Sequence, residues 1–270
     1  MEKVLIGTSG YDYPEWKGFF YPEDLPRKDF LSYYATQFNA LELNNSFYNM
    51  PTAQRMLSFY ERSEGKLSFS VKANRLLTHQ VERSWQTDAA AFKSSVTPLL
   101  EKDSISALLF QFPESFHYTP DNRFYLSALI NEFEGFPVVI EFRHKEWIRD
   151  SVMEGLEKRG ASVAFCDMPA LKNLPAGVVS EKVSPFIGPV AYIRLHGRNA
   201  DAWYVKDDSP NGSSRYTYDY SVQELESFVP IIKYTIIEGK RPLVFFNNHP
   251  KGDGAKNAKM LKDMIKPIDL

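Results

Sequence analysis

The sequence predicts an α/β fold, a parallel eight-stranded (β/α)8 barrel of the TIM type formed as one domain over residues 1–270. Three observations predict it. Eight short runs rich in β-branched or aromatic residues recur along the chain, and helical-period segments separate most of them. Alternating strands and helices imply a parallel sheet, and eight units at a length near the roughly 250 residues typical of such barrels imply closure. No Gly-x-Gly-x-x-Gly follows the first run, where an open dinucleotide-binding sheet would carry one; Gly7-Thr8-Ser9-Gly10 is a different pattern.

The first strand is expected at 4–8, almost at the start of the chain, with no apolar signal-peptide segment before it. A short helical segment at 27–37 leads to the second strand, 40–44. Pro51-Thr52 is a start signal for a helix over 52–62, which feeds the third strand, 67–72. A helix at 88–100 precedes the fourth strand, 105–111, and Thr119-Pro120-Asp121 opens the helix 121–133 before the fifth, 138–143. The helix 148–159 ends at Gly160, where a C-terminal cap belongs, and the sixth strand follows at 162–167. The sixth connection is irregular: 168–189 holds Pro169, Pro175, Gly177, Pro185, Gly188 and Pro189, too many breakers for a full helix. After the seventh strand, 190–196, comes a polar insertion around Ser209-Pro210-Asn211-Gly212; residues 198–220 read either as a lid or as a plain surface insertion. Helices at 222–238 and 256–265 flank the last strand, 243–248.

Composition narrows the function. A net charge of −2 gives no global attraction to nucleic acid, although a local basic cleft stays open. A single cysteine, Cys166, excludes an internal disulfide and a multi-cysteine zinc site. No stretch reaches the roughly 20 apolar residues of a membrane helix, so a soluble, cytoplasmic protein without membrane contact is expected. Oligomeric state is not legible.

Side chains of a strand alternate between faces, and in a barrel the inner face turns polar only near the strands' C-terminal ends. Taking the apolar set of each strand as outward leaves Glu42 and Asn44, Ser68, Ser70 and Lys72, Glu141 and Arg143, and Tyr192, Arg194 and His196 inward. Gln111, Asp167, Gly7 and Ser9 join them from the fourth, sixth and first strands, and Asn247, Asn248 and His249 from the end of the last. Cys166, next to Asp167, is expected to face outward into core. Such charges must pair, bind a ligand or stay wet. Either Glu141 pairs with Arg194 in a network that merely closes the barrel, or the set is a site.

As a site, Glu42, Glu141, Asp167 and His196 are the catalytic candidates, the acids as proton carriers and the histidine as their assistant. Lys72, Arg143 and Arg194 suit a phosphate or carboxylate, with Ser9, Asn44, Gln111, Asn247 and Asn248 as polar contacts. Tyr11 and Trp16, in the loop after the first strand, offer aromatic faces beside these cations. No cofactor is required by the sequence. A divalent metal is compatible with the acids and histidines, though no His-x-x-x-His spacing supports one.

Several stretches together resemble the YecE-like family, domain of unknown function 72. They are Ile6-Gly7-Thr8-Ser9-Gly10-Tyr11 with Pro14, Trp16 and Gly18; Glu42-Leu43-Asn44-Asn45-Ser46-Phe47-Tyr48; and Phe69-Ser70-Val71-Lys72-Ala73. Gln111-Phe112-Pro113, Glu141-Phe142-Arg143-His144 with Trp147, Tyr192-Ile193-Arg194-Leu195-His196-Gly197 and Phe246-Asn247-Asn248-His249 continue the match in order along the chain. The resemblance implies a TIM-type barrel and no settled reaction. The expected function is an enzyme acting by carboxylate acid/base chemistry on a small phosphorylated or nucleotide-like anion at the barrel mouth. A metal-dependent isomerase or abasic-site-endonuclease-like hydrolase, and a non-enzymatic module for nucleic acid or nucleotides, are the alternatives.

Overall fold

The computed structural model describes residues 4–175, 186–205 and 214–266. Eight strands run parallel: β1 (Leu5–Thr8), β2 (Ala40–Leu43), β3 (Ser68–Lys72), β4 (Ile105–Gln111), β5 (Val138–Glu141), β6 (Ser162–Asp167), β7 (Val190–Leu195) and β8 (Arg241–Phe246). Their order, β1-β8-β7-β6-β5-β4-β3-β2, brings β1 beside β2 and makes a nearly closed (β/α)8 barrel.

The β1–β2 seam is stitched differently from the other joints. Its one strand-type pairing links Ser9 with Glu42. Lower down, the Tyr34 hydroxyl accepts from the Thr8 backbone N–H at 2.7 Å and donates to the Ala40 carbonyl at 3.0 Å. Gly7 makes room for this: a Cβ there would lie 1.9 Å from the Ala40 oxygen.

The outer layer comprises α1 (Phe30–Gln37), α2 (Asn45–Tyr48), α3 (Ala53–Arg62), α4 (Trp85–Glu101), α5 (Pro120–Glu132), α6 (Asp150–Glu157), α7 (Val222–Glu226), α8 (Phe228–Ile237) and α9 (Asp253–Ile265). Thr52 and Thr119 cap α3 and α5 with their hydroxyls, as the start signals predict. The helix expected over 222–238 is two, α7 and α8, meeting at Ser227. The last helix starts earlier than expected, at Asp253, because Gly252 turns the chain at φ 78°. The described parts of the sixth connection hold no helix; residues 176–185, and residues 206–213 of the insertion, lie outside the described residues. No helix among the described residues is long and apolar enough to cross a membrane.

Two apolar layers frame the barrel. Outward residues such as Ile6, Leu41, Val71, Ile140, Ile193 and Val244 pack on the helices. Leu5, Ala40, Ala107, Leu109, Val139, Val190, Tyr192, Leu243 and Phe245 fill the interior. This plug closes the barrel from below, so polar groups one step further along each strand collect at the C-terminal mouth.

Candidate functional site

Arg194 is the hub of that polar layer. From β7 it reaches across the barrel, its NH1 2.6 Å from Glu141 Oε2 on β5 and its NH2 2.6 Å from Glu42 Oε1 on β2. Glu42 also accepts from the Tyr192 hydroxyl at 2.7 Å and from Ser9 Oγ, and Ser70 Oγ lies 2.6 Å from that tyrosine oxygen. Ser9 in turn accepts from Asn44 Nδ2 at 3.0 Å. Arg143 donates to the other Glu141 oxygen at 2.5 Å. Burial opposes a charge on Glu141, but Arg143 and Arg194 outweigh it and hold the carboxyl below the usual range. Glu141 therefore stays ionised.

His196 is fully buried, and its pKa is driven well down by burial and then by the positive Arg143 and Arg194. Arg143 NH2 lies 3.1 Å from its Nε2. A guanidinium only donates, so Nε2 accepts and the neutral ring carries its proton on Nδ1. The Asn247 side-chain amide sits 3.0 Å from that nitrogen, and with its oxygen turned inward it accepts a hydrogen bond from Nδ1–H.

Lys72 ends β3 with its ammonium 2.9 Å from Gln111 Oε1 and 4.4 Å from the centre of the Phe47 ring. Burial, and next the charge of Arg194, pull its pKa down to about 8. It is the cation of the mouth whose proton is exchangeable near neutrality.

Above these groups lies a cavity of about 570 Å³, lined by Lys72, Arg143, Arg194, Asn44, Gln111 and Asn247 from the strand ends, by Phe47 and Tyr48 from α2, and by Tyr13, Arg215, Tyr216 and His249 from the connections. Tyr13 stacks on His249 with ring centres 4.8 Å apart, and burial lowers the pKa of that histidine to about 4. Asn44 Oδ1, Arg194 Nε and His249 Nδ1 are buried with no hydrogen-bond partner among the described residues. Unsatisfied buried polar atoms are uncommon, and these three belong to residues lining one cavity.

The structure thus turns Glu42, Glu141, His196, Ser9, Asn44, Lys72, Gln111, Arg143, Arg194 and Asn247 into the mouth. Four expected residues sit elsewhere. Asp167 faces the helices, where Arg198 Nε lies 2.9 Å and the Tyr220 hydroxyl 2.7 Å from its Oδ2. Its parity is that of Val163 and Phe165, both packed outward. Cys166 takes the inward place instead of the outward one expected for it, in register with Arg194, and burial pushes its thiol pKa well up. Asn248 shares the parity of Phe246 and donates to the Tyr218 carbonyl and to Asn257 Oδ1, each at 2.8 Å. Trp16 lies under the rim, its indole N–H on the His249 carbonyl at 2.7 Å, and Tyr11 packs against Tyr34 and Phe59. Phe47 and Tyr48, on the short α2, and Arg215 and Tyr216, in the insertion after β7, were not among the expected contacts, because segments outside the strands carry no alternation to assign a face.

Among the described residues, two groups of three metal-ligating side chains bring their donor atoms within 4.8 Å of one another: Glu141 with Cys166 and His196, and His117 with His144 and Glu146.

The sequence profile of the family described as "Protein of unknown function DUF72" matches residues 5–268. The UPF0759 protein YunF of Bacillus subtilis (strain 168) is 28% identical, with 97% of this chain and 94% of that protein covered. Among solved structures, a DUF72 family protein from Thermotoga maritima MSB8 is 30% identical with a TM-score of 0.85, covering 97% of this chain and 99% of the other. A DUF72 family protein from Enterococcus faecalis V583 superposes with a TM-score of 0.80 at 22% identity over 97% and 95% of the two chains. A xylose isomerase-like TIM barrel protein from Mycobacterium smegmatis, solved with magnesium, reaches 0.50 at 11% identity over 92% of each chain, a likeness of fold alone.

Proposed function

The chain belongs to the DUF72 family, and since that description names no reaction, we propose from the chemistry of the mouth that it binds a small phosphorylated, nucleotide-like anion and transfers a proton on it. One observation carries this reading. Lys72, Arg143, Arg194 and Arg215 line the cavity, and among the described residues the carboxylates of Glu42 and Glu141 lie beneath them. The excess of cation favours an anionic guest, and guanidiniums fit phosphate oxygens in pairs. The faces of Tyr13, Phe47, Tyr48 and Tyr216 suit a base or sugar ring. The Asn44, Gln111 and Asn247 side chains that line the cavity offer further polar contacts. The cavity volume of about 570 Å³ falls in the roughly 300–1,000 Å³ range of small-ligand sites.

The proton carrier in this reading is Lys72 rather than a carboxylate. Glu141 is fixed as an anion by two guanidiniums, and Glu42 is engaged by Arg194, Tyr192 and Ser9. These acids set the arginines in place; an amine with a pKa of about 8 both accepts and returns a proton near neutrality. Neutral His196 fixes Arg143 through Nε2.

A central metal does not fit these residues. A cation on Glu141, Cys166 and His196 would face Arg143, 3.1 Å from His196 Nε2, and both guanidiniums bound to Glu141.

Calorimetric titration of the full chain at low salt with inorganic phosphate, ribose 5-phosphate, adenosine 5′-monophosphate and a single-stranded oligonucleotide tests the proposal. Saturable binding of the phosphate compounds is expected, tightest for the nucleotide. Lys72→Met should weaken it about tenfold, and Tyr216→Ala should remove the nucleotide's advantage. Absence of phosphate-compound binding, or an unchanged affinity in Lys72→Met, overturns the reading. Binding confined to the oligonucleotide replaces it with a nucleic-acid module.

A further inference from the structure

At the same end of the barrel, outside the cavity lining, the loops after β4 and β5 bring together two histidines and a carboxylate. His144 directly follows Arg143, and Glu146 stands two residues on; His117 comes from the loop before α5. Glu146 Oε2 lies 3.3 Å from His117 Nδ1 and 3.6 Å from His144 Nδ1. Zinc bonds of about 2.0–2.1 Å to nitrogen and oxygen imply ligand-to-ligand edges of about 3.3–3.4 Å in a tetrahedron. Both separations lie close to that edge, and all three donor atoms fall within 4.8 Å of one another, so modest side-chain movement gathers them around a cation.

The ligands are also held. The Tyr118 backbone N–H donates to Glu146 Oε2 at 3.2 Å, which holds that oxygen toward the two histidines. The His117 carbonyl accepts from Asn122 Nδ2 at 2.8 Å, and the Lys145 N–H donates to the Asn173 carbonyl at 2.9 Å, so both loops are tied down. His144 Nδ1 takes only a long 3.3 Å bond from the Glu146 N–H, a lone pair that a metal outcompetes. The nearby Arg149 spends its Nε on the Glu146 carbonyl, away from the carboxylate. Unlike the central triad, no guanidinium is bound to this carboxylate among the described residues.

We propose that His117, His144 and Glu146 form a binding site for a divalent transition metal such as Zn²⁺. Two imidazoles and a carboxylate are the protein ligands of hydrolytic zinc sites, in which the fourth position goes to water or substrate. His117 and Glu146 are part-exposed, which gives an ion an entry path and the fourth position access to solvent.

The test uses the full chain without a polyhistidine tag, stripped with chelator and titrated with Co²⁺ and, by calorimetry, Zn²⁺. One equivalent is expected, with the visible absorption of four- or five-coordinate cobalt. His117→Ala and Glu146→Gln should each weaken binding at least tenfold, while Cys166→Ser and Lys72→Met leave it unchanged. His117 and Glu146 are half-exposed, so these variants keep the native circular dichroism, which is measured alongside. Absence of saturable uptake, or equal affinity in both ligand variants, overturns the site. So does thiolate-to-cobalt charge-transfer absorption lost in Cys166→Ser, which would put the metal on Glu141, Cys166 and His196 instead.

Discussion

Arg194 on β7 and Glu42 on β2 meet across the barrel mouth, NH2 to Oε1 at 2.6 Å, from positions 152 residues apart in the chain. Both are almost wholly buried, and the other arm of the same guanidinium holds Glu141. Arg194→Met leaves Glu42 buried without a cationic partner and Glu141 with Arg143 alone. Breaking a buried pair from one side costs about 3–5 kcal/mol, so the urea midpoint should fall by an amount of that order with an unchanged slope. Glu42→Gln leaves Arg194 paired with Glu141 and should cost less. A Met variant as stable as the parent would mean the network is not structural.

Lys72 should behave as an unusually reactive amine. Burial and Arg194 lower its pKa to about 8, against roughly 10.4 for an ordinary lysine. Only the neutral amine acylates, so limited labelling with an acylating reagent should modify Lys72 ahead of the exposed lysines between pH 7 and 9. Its rate should level off just above pH 8, where the others still climb. Mass spectrometry of the labelled peptide checks this, and a midpoint near 10 would rule out Lys72 as proton carrier near neutrality.

How much of this mouth is legible before folding depends on neighbours rather than on polarity. In 138–143, the apolar Val138, Ile140 and Phe142 determine that Glu141 and Arg143 share the other face, and in β7 Ile193 and Leu195 do the same for Arg194 and His196. The rule fails where residue type is allowed to outrank parity. Asp167 is polar and ends a strand, yet Val163 and Phe165 fix it outward, and with it Cys166 inward. Asn248 follows Phe246 in the same way. Arg215 and Tyr216 reach the cavity from an insertion without period, so no local signal assigns them a direction. The metal-ligating trio is equally silent: His144 and Glu146 are close in sequence, but His117 joins them only once β4 and β5 are adjacent.

The Tyr34 hydroxyl replaces strand-to-strand bonding at the β1–β2 seam, which gives it a role no neighbouring phenylalanine could take. Tyr34→Phe leaves the Thr8 N–H and the Ala40 carbonyl without that partner in a buried joint. A loss of about 1–3 kcal/mol is expected. Gly7→Ala should be worse, because its Cβ would fall 1.9 Å from the Ala40 oxygen and 2.7 Å from the hydroxyl, so backbone must move. Thermal melts of both variants check the order. A Phe variant melting with the parent would show the seam to be held by other contacts.

Acid should unfold this protein early, and the two buried histidines of the mouth contribute to the slope. The pKa of His249 is lowered to about 4 by burial, and that of His196 well below the usual value by burial and by Arg143. In the unfolded chain both take up a proton near pH 6.5. Below that pH the unfolded state binds more protons than the folded one, so stability falls as pH falls. Each histidine contributes about 1.4 kcal/mol per pH unit until its folded pKa is reached. Glu141, with a depressed folded pKa, acts in the same direction below the usual carboxylate range. Urea unfolding at pH 6.5 and 5.0 should therefore show a steep loss in the parent. In His249→Gln that loss should be smaller by about 1.5 kcal/mol over the same range, because one proton-binding group has left the unfolded state. Equal losses in the two proteins would mean that His249 is protonated in the folded mouth, and that its stacking on Tyr13 does not exclude the charge.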